Sequence, residues 1–142
     1  LESLGVRMER HCKNALALAK YLESHDRIKW VNYAALPNDK YNHICKKITN
    51  GHASGIISFG IKGGKDAGAK FIDALKMILR VLSMGDAKSL ACHPASTLHR
   101  QLTPKQKELA GVSEDLIRIS VGIEHIDDII QDVEQAIVAS QK

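Results

Sequence analysis

Residues 116–121 read Leu-Ile-Arg-Ile-Ser-Val, a stretch in which β-branched residues alternate with other types. A period of two is typical of a strand with one face in a core, so this stretch strongly constrains the fold. Ile117, Ile119 and Val121 are predicted to face the core, and Arg118 is predicted to point to the opposite face. A guanidinium there favours an anion, because its planar donors match a carboxylate. The residues alone leave two partners open, an Asp or Glu of the protein in a structural ion pair and a small-molecule carboxylate.

The spacing of apolar residues elsewhere alternates between helical and strand periods. Positions three and four apart predict a long amphipathic helix over residues 2–24. This helix lacks a visible N-cap, and we expect it to begin earlier in a longer parent chain. The other predicted strands are residues 28–33, 55–61 and 89–92. The other predicted helices are residues 41–48, 64–79, 104–110 and from about 125 onwards. This alternating order of elements is by itself compatible with a doubly wound parallel sheet.

One short helix carries a clear set of end signals. Thr103 is a favoured N-cap, Pro104 suits the first helical position, and Gln106 at the third position completes a capping box. Gly111 is placed to end the helix. We therefore predict a surface helix of about two turns between them.

Composition limits the classes of partner. The chain has 20 basic and 16 acidic residues, and its lysines are scattered. Tracking of a nucleic-acid backbone needs clustered positive charge and stacking aromatics, so no nucleic-acid partner is expected. The sequence has neither a leader nor an apolar run near 18 residues, so no membrane partner is expected either. Its three cysteines are irregularly spaced, which favours a reducing cytoplasm over a disulfide framework.

Three residue groups resemble catalytic or binding motifs only superficially. Cys92, His93 and His99 lack zinc-ligand spacing and a fourth ligand. Gly63 and Gly64 precede a helix, but no phosphate-binding pattern follows, so a turn is predicted. Ser, His and Asp residues are present without a nucleophile elbow, so a hydrolase triad has no specific support.

Several motifs occur in the order in which they appear in a known enzyme family. They include residues 7–11 (Arg-Met-Glu-Arg-His), 30–33 (Trp-Val-Asn-Tyr), 60–75, 93–97 (His-Pro-Ala-Ser-Thr) and 116–136. Together they resemble the C-terminal end of the cysteine/methionine-metabolism enzymes that use pyridoxal phosphate, and most of all the O-acetylhomoserine sulfhydrylase subfamily. The resemblance covers nearly all of residues 1–142. It implies an α+β fold, the small C-terminal domain of fold-type I pyridoxal-phosphate enzymes, with a mostly antiparallel sheet of about four strands covered by helices.

The resemblance also implies an activity for the intact enzyme. That activity is γ-replacement on O-acetyl-L-homoserine by sulfide, which gives homocysteine and acetate in methionine biosynthesis. A related cystathionine γ-synthase or methionine γ-lyase is the alternative, and a non-catalytic α+β binding or assembly domain is a further one. The family's cofactor lysine lies in a Ser/Thr-rich motif that this sequence lacks. We therefore expect a separate large N-terminal domain to bind pyridoxal 5'-phosphate, and the chain alone to be inactive.

The expected site residues follow from the same resemblance. Arg118 is expected to bind the α-carboxylate of an amino-acid substrate, with Ser83 beside it. Ser96 and Thr97 are expected to shape the mouth of the pocket. A clamped carboxylate would fix which bond at the α-carbon is labilised. No catalytic, cofactor-binding or metal-binding residue is expected in this chain, and its expected partners are the substrate, its own N-terminal domain and further copies in a homo-oligomer, a tetramer.

Overall fold

The computed structural model describes residues 1–97, 99 and 101–142. Within them, one mixed sheet of five strands has the order β1-β2-β5-β4-β3. All neighbouring strands are antiparallel except β3 and β4, which are parallel. The elements are α1 (Leu4–Glu23), β1 (Ile28–Asn32), α2 (Asn42–Thr49), β2 (Ile56–Ile61), α3 (Gly64–Ala74), β3 (Leu79–Arg80), β4 (Leu90–Cys92), a 3₁₀ turn (Pro94–Ser96), α4 (Pro104–Leu109), β5 (Leu116–Ser120) and α5 (Ile126–Ser140).

The core lies between one face of the sheet and the helices α1, α3 and α5. The sheet contributes alternate residues of its two central strands, and each helix contributes one apolar stripe. Phe59 and Phe71 meet edge to face across this layer, with ring centroids 5.8 Å apart. Burial of such side chains from water is the main stabilising contribution to a fold of this size. The fully buried side chains include Leu18, Leu22, Ile57, Phe59, Ile61, Phe71, Ile117, Ile119, Ile129 and Ile137.

The opposite face of the sheet carries a polar row. Arg118 pairs in register with Ser58 on one side and with Cys92 on the other. Ser58 in turn pairs with Asn32 of the edge strand β1. Because directly paired residues point to the same face of a sheet, these four side chains share the face away from the core.

The predicted fold class is confirmed, because the structure is α+β with a mostly antiparallel sheet. The parallel doubly wound alternative is excluded by the antiparallel pairs on both sides of β5. The predicted strands and helices match the observed ones to within a few residues, with one exception. The predicted helix over residues 64–79 is too long, since α3 ends at Ala74 and Leu79–Arg80 forms a fifth strand.

A buried aspartate accounts for this exception. The Asp132 carboxylate of α5 accepts hydrogen bonds from the backbone amides of Lys76, Met77 and Ile78, at 2.8–3.0 Å. Those amides are thereby satisfied outside a helix, so the chain can turn away after Ala74. The partner lies more than 50 residues away in sequence, so spacing within the predicted helix gives no sign of it.

Two other local predictions concern the start of α4 and the apolar face of α1. The Thr103 capping box is confirmed, with the Thr103 hydroxyl accepting from the amide of Gln106 and the Gln106 side chain accepting from the amide of Thr103. Gly111 follows the helix with a positive φ of 68°. The apolar face predicted for residues 2–24 is only partly buried, because Leu4 and Met8 are exposed in the first turns of α1. Within the described part of the chain, no helix is both long and apolar enough to cross a bilayer.

Candidate functional site

Arg118 lies at the centre of the sheet's polar face. β5 holds it between β2 and β4, and its side chain is half-buried. It faces a cavity of about 320 Å³ whose lining includes Trp30, Asn32, Ser58 and His99. A cavity of this size is at the lower end of those that hold small molecules.

The guanidinium of Arg118 is held by a backbone group rather than by a carboxylate. Its Nη2 donates to the carbonyl oxygen of Leu82 at 2.8 Å. The ion pairs found among the described residues involve other cations, so Arg118 has no acidic partner there. The Leu82 carbonyl uses one donor of five and the Cys92 sulfur engages another, which leaves the rest available to an anion. The structural ion pair considered for Arg118 is therefore not found in the described part of the chain.

Cys92 lies directly opposite Arg118 in the sheet and is 2% exposed. Burial raises the pKa of the Cys92 thiol, and the charge and hydrogen bonding of Arg118 offset only part of that rise. The thiol is therefore neutral at physiological pH, and it does not cancel the positive charge of Arg118.

Ser83 lies in the loop that follows β3, directly after Leu82 in the chain. It is exposed, and its peptide nitrogen is bonded to the carbonyl carbon of Leu82, the residue whose oxygen holds Arg118. The structure thus places the peptide bond between Leu82 and Ser83 beside Arg118, but Ser83 is not among the described residues that line the Arg118 cavity. The role of Arg118 and Ser83 in binding a substrate stays a prediction.

Ser96 and Thr97 lie elsewhere. Both hydroxyls donate to the carbonyl oxygen of His93, at 3.3 Å and 2.9 Å, which fixes the 3₁₀ turn. They line a second cavity, of about 280 Å³, together with Arg80, Leu82 and residues of α3. The structure does not place them in the lining of the Arg118 cavity, and their predicted role at the mouth of a pocket remains untested.

Sequence reasoning did not identify the other residues around Arg118. Trp30, Asn32, Ser58 and His99 line its cavity, and they come from three separate parts of the chain. The alternation in β2 already places Ser58 on the face away from Ile57 and Phe59. Only the register between strands shows that it lies beside Arg118, and register is not readable from a single strand.

His93 lines the second cavity and has a structural role there. It is 1% exposed, and its Nε2 lies 2.9 Å from the carbonyl oxygen of Glu114 while its Nδ1 lies 3.0 Å from the Ser96 hydroxyl. A Cβ at Gly68 would lie 2.7 Å from His93 Nε2, so this ring also requires a glycine in α3. Both nitrogens are engaged within the protein, so the ring connects the 3₁₀ turn to the segment before β5 and packs against α3.

The lysines provide a test for a cofactor that forms a covalent bond with a lysine. Lys107 is buried, but its Nζ donates to Glu114 at 2.8 Å. The hydrogen bond from Lys107 holds the pKa of Glu114 below its ordinary value, which is the expected signature of an ion pair. No lysine is among the described residues that line the Arg118 cavity. The described residues can therefore bind a carboxylate beside Arg118, but they do not fit a cofactor that needs a lysine there.

Comparison with known proteins identifies the class. The sequence profile of the Cys/Met metabolism PLP-dependent enzymes matches residues 1–138. The chain therefore belongs to the Cys/Met metabolism family of pyridoxal-phosphate-dependent enzymes.

Three individual proteins are similar to most of this chain. The chain is 49% identical over 137 residues to a homocysteine synthase of Schizosaccharomyces pombe, covering 96% of this chain and 32% of that protein. It is 48% identical to an O-acetyl-L-homoserine sulfhydrylase of Leptospira meyeri, covering 96% of this chain and 31% of that protein. A Campylobacter jejuni crystal structure, assigned as an O-acetylhomoserine (thiol)-lyase with N'-pyridoxyl-lysine-5'-monophosphate, superposes with a TM-score of 0.89 at 41% identity over 96% of this chain and 32% of that one. The chain thus spans about a third of the length of these relatives.

Proposed function

We propose that this chain is the substrate-carboxylate-binding, C-terminal domain of an O-acetylhomoserine sulfhydrylase. The complete enzyme would replace the acetate of O-acetyl-L-homoserine with sulfide and release homocysteine and acetate. The observation that carries this proposal is Arg118, half-buried on the polar face of the sheet, facing a cavity and holding a backbone carbonyl instead of an acid. Relatives named for this chemistry match 96% of the chain.

Arg118 would act by holding the α-carboxylate of the amino acid. Two parallel hydrogen bonds from a guanidinium fix a carboxylate in a plane, and thereby fix the orientation of the α-carbon attached to it. Leu82 supports this function because its carbonyl occupies one donor and restrains the guanidinium. The neutral thiol of Cys92, on the neighbouring strand, leaves the full positive charge for the ligand.

Pyridoxal 5'-phosphate, when bound, supplies the electron withdrawal that makes bonds at the amino acid's α-carbon reactive. We propose that a large N-terminal domain outside this sequence provides the cofactor lysine and the cradle for the phosphate. This division is supported by the family membership and by the lining of the Arg118 cavity, in which the described residues include no lysine. The chain alone is then expected to be inactive.

The remaining partners follow from the same proposal. The exposed apolar residues Leu4 and Met8, which lie one turn apart on the same face of α1, provide a surface for the N-terminal domain or for further copies in a homo-oligomer, a tetramer. A cytoplasmic location is proposed because Cys12, Cys45 and Cys92 are all free thiols, as expected in a reducing compartment.

The test is a product assay on the complete enzyme that contains this chain. With O-acetyl-L-homoserine and sulfide, we expect homocysteine and acetate in equal amounts, with homocysteine formation dependent on sulfide. The same assay on the 142-residue chain, with pyridoxal phosphate added, should give neither product. Release of ammonia and a 2-oxo acid without need for sulfide would instead indicate a γ-lyase, and turnover by the chain alone would contradict the proposed division of labour.

A further inference from the structure

The loop that joins β3 to β4 is held at four points by the end of β5 and the segment after it. One is a backbone hydrogen bond, in which the amide of Ile123 donates to the carbonyl of Ala87 at 2.9 Å. Arg118 donates to the carbonyl of Leu82 at 2.8 Å. The Ser120 hydroxyl accepts from the amide of Gly85 at 3.1 Å. The Glu124 carboxylate completes the set at Ser89, where the loop enters β4. Residues 82–89 therefore take their position from β5 and its extension.

Glu124 makes the strongest of these attachments. Its Oε1 accepts from the amide of Ser89 at 2.6 Å, and its Oε2 accepts from the Ser89 hydroxyl at 2.9 Å. The same hydroxyl accepts from the amide of Gly122 at 2.8 Å, which closes a small network. Ser89 is completely buried. Charge-assisted bonds of this kind are short and about twice as strong as neutral ones, so the network is rigid.

The segment that carries Glu124 is itself fixed from the other side. Asn14 of α1 donates to the carbonyls of Gly122 and Glu124, at 3.0 Å and 2.9 Å. The ring of His11 contacts the carbonyl of Val121 at 2.6 Å. A Cβ at Gly122 would lie only 2.5 Å from the backbone oxygen of Ala87, so loop and segment are in direct contact. The loop is thus connected through Glu124 to the rigid helix α1.

We infer that Glu124 is a positioning residue for the carboxylate site: by holding Ser89, it keeps the loop of residues 82–89 against β5, so that the Leu82 carbonyl and the Ser83 backbone stay beside Arg118. This inference rests on the proposed function, because the guanidinium of Arg118 is the group that would bind the substrate. Glu124 itself touches no substrate in this account. Its effect passes through the loop.

The experiment combines kinetics with hydrogen exchange on the complete enzyme. In Glu124→Ala we expect the KM for the amino-acid substrate to rise on the order of tenfold, while the KM for sulfide stays within about twofold. The backbone amides of residues 85 and 89 should lose protection against exchange. Glu124→Gln keeps an acceptor for the Ser89 amide and should recover most of both losses. Ser89→Ala removes the hydroxyl from the opposite side of the contact and should shift the same KM in the same direction, by less.

Glu134→Ala is the matched control, because Glu134 is also a carboxylate paired through hydrogen bonds, to Tyr21 and His25, but it lies away from the loop. It should leave the amino-acid KM and the exchange of the loop unchanged. Increased exchange in Glu124→Ala with an unchanged amino-acid KM would overturn the inference, as would an equal rise in both KM values. If Glu124→Ala fails to fold, an unchanged KM in Ser89→Ala would overturn it. A wild-type enzyme without sulfhydrylase activity would contradict the proposed function. Hydrogen exchange at residues 85 and 89 would then still show whether Glu124 holds the loop, because it does not depend on that activity.

Discussion

Replacement of Asp132 by alanine should destabilise the protein more than most single substitutions. Asp132 is 6% exposed, and its two carboxylate oxygens accept from the amides of Lys76, Met77 and Ile78. Each buried amide left without a partner costs about 1–3 kcal/mol, and water can reach part of this loop, so the total is about 3–5 kcal/mol. Asp132→Asn keeps one acceptor oxygen, which can serve Met77 and Ile78 but not Lys76. We expect that variant to lose about 1–2 kcal/mol.

Urea unfolding of the wild type and both variants measures these differences directly. Thermal unfolding should show a fall in Tm of roughly 10–15 °C for Asp132→Ala. Asp128→Ala, on the exposed side of the same helix, is the control and should lose less than about 1 kcal/mol through the helix dipole alone. A loss of under about 1 kcal/mol in Asp132→Ala would refute the reasoning, because the three amides would then be satisfied without Asp132 and another cause would be needed for the end of α3.

Three further predictions concern contacts of Gly60, Gly122 and Glu114. Gly60→Ala should displace the ring of Trp30, whose nearest atom would be 2.1 Å from the new Cβ, and the fluorescence of this single tryptophan should shift. Gly122→Ala should lose about 1–3 kcal/mol in urea unfolding, because the new Cβ would meet the Glu124 side chain and also the backbone of Ala87 and Lys88, which cannot rotate away. The pKa of Glu114 is lowered by Lys107, so its contribution to stability is present above the ordinary value of 4.5 and is lost as the pH falls through the lowered value. Glu114→Gln should accordingly flatten the loss of stability measured below that pH.

Local patterns predicted most of this fold because they depend on residues close in sequence. The alternation in residues 116–121 specified both β5 and the outward direction of Arg118, and Thr103 with Gln106 specified a helix start that the structure reproduces. The antiparallel sheet could not be derived in this way, since the order of elements also allowed a parallel one. That distinction came from the resemblance to a known family.

Long-range contacts account for what the sequence could not reveal. The end of α3 depends on Asp132, and the loop beside Arg118 depends on Ser120 and Glu124, each at least 35 residues from its partner. The position of Ser58 next to Arg118 depends on strand register, which one isolated strand does not determine. Such contacts are fixed only when the whole core assembles.

Arg118 is the residue on which the proposed function depends most, and its role is measured directly by kcat/KM for O-acetyl-L-homoserine in the complete enzyme. Loss of a bidentate, charge-assisted contact in Arg118→Ala should lower kcat/KM by about 30- to 1000-fold, equivalent to about 2–4 kcal/mol. Arg118→Lys should recover only part of this, because a point charge cannot reproduce the fork. Arg80→Ala, a change in an exposed arginine paired with Asp73, should have little effect. Near wild-type kcat/KM in both Arg118 variants, with normal folding, would contradict the carboxylate assignment.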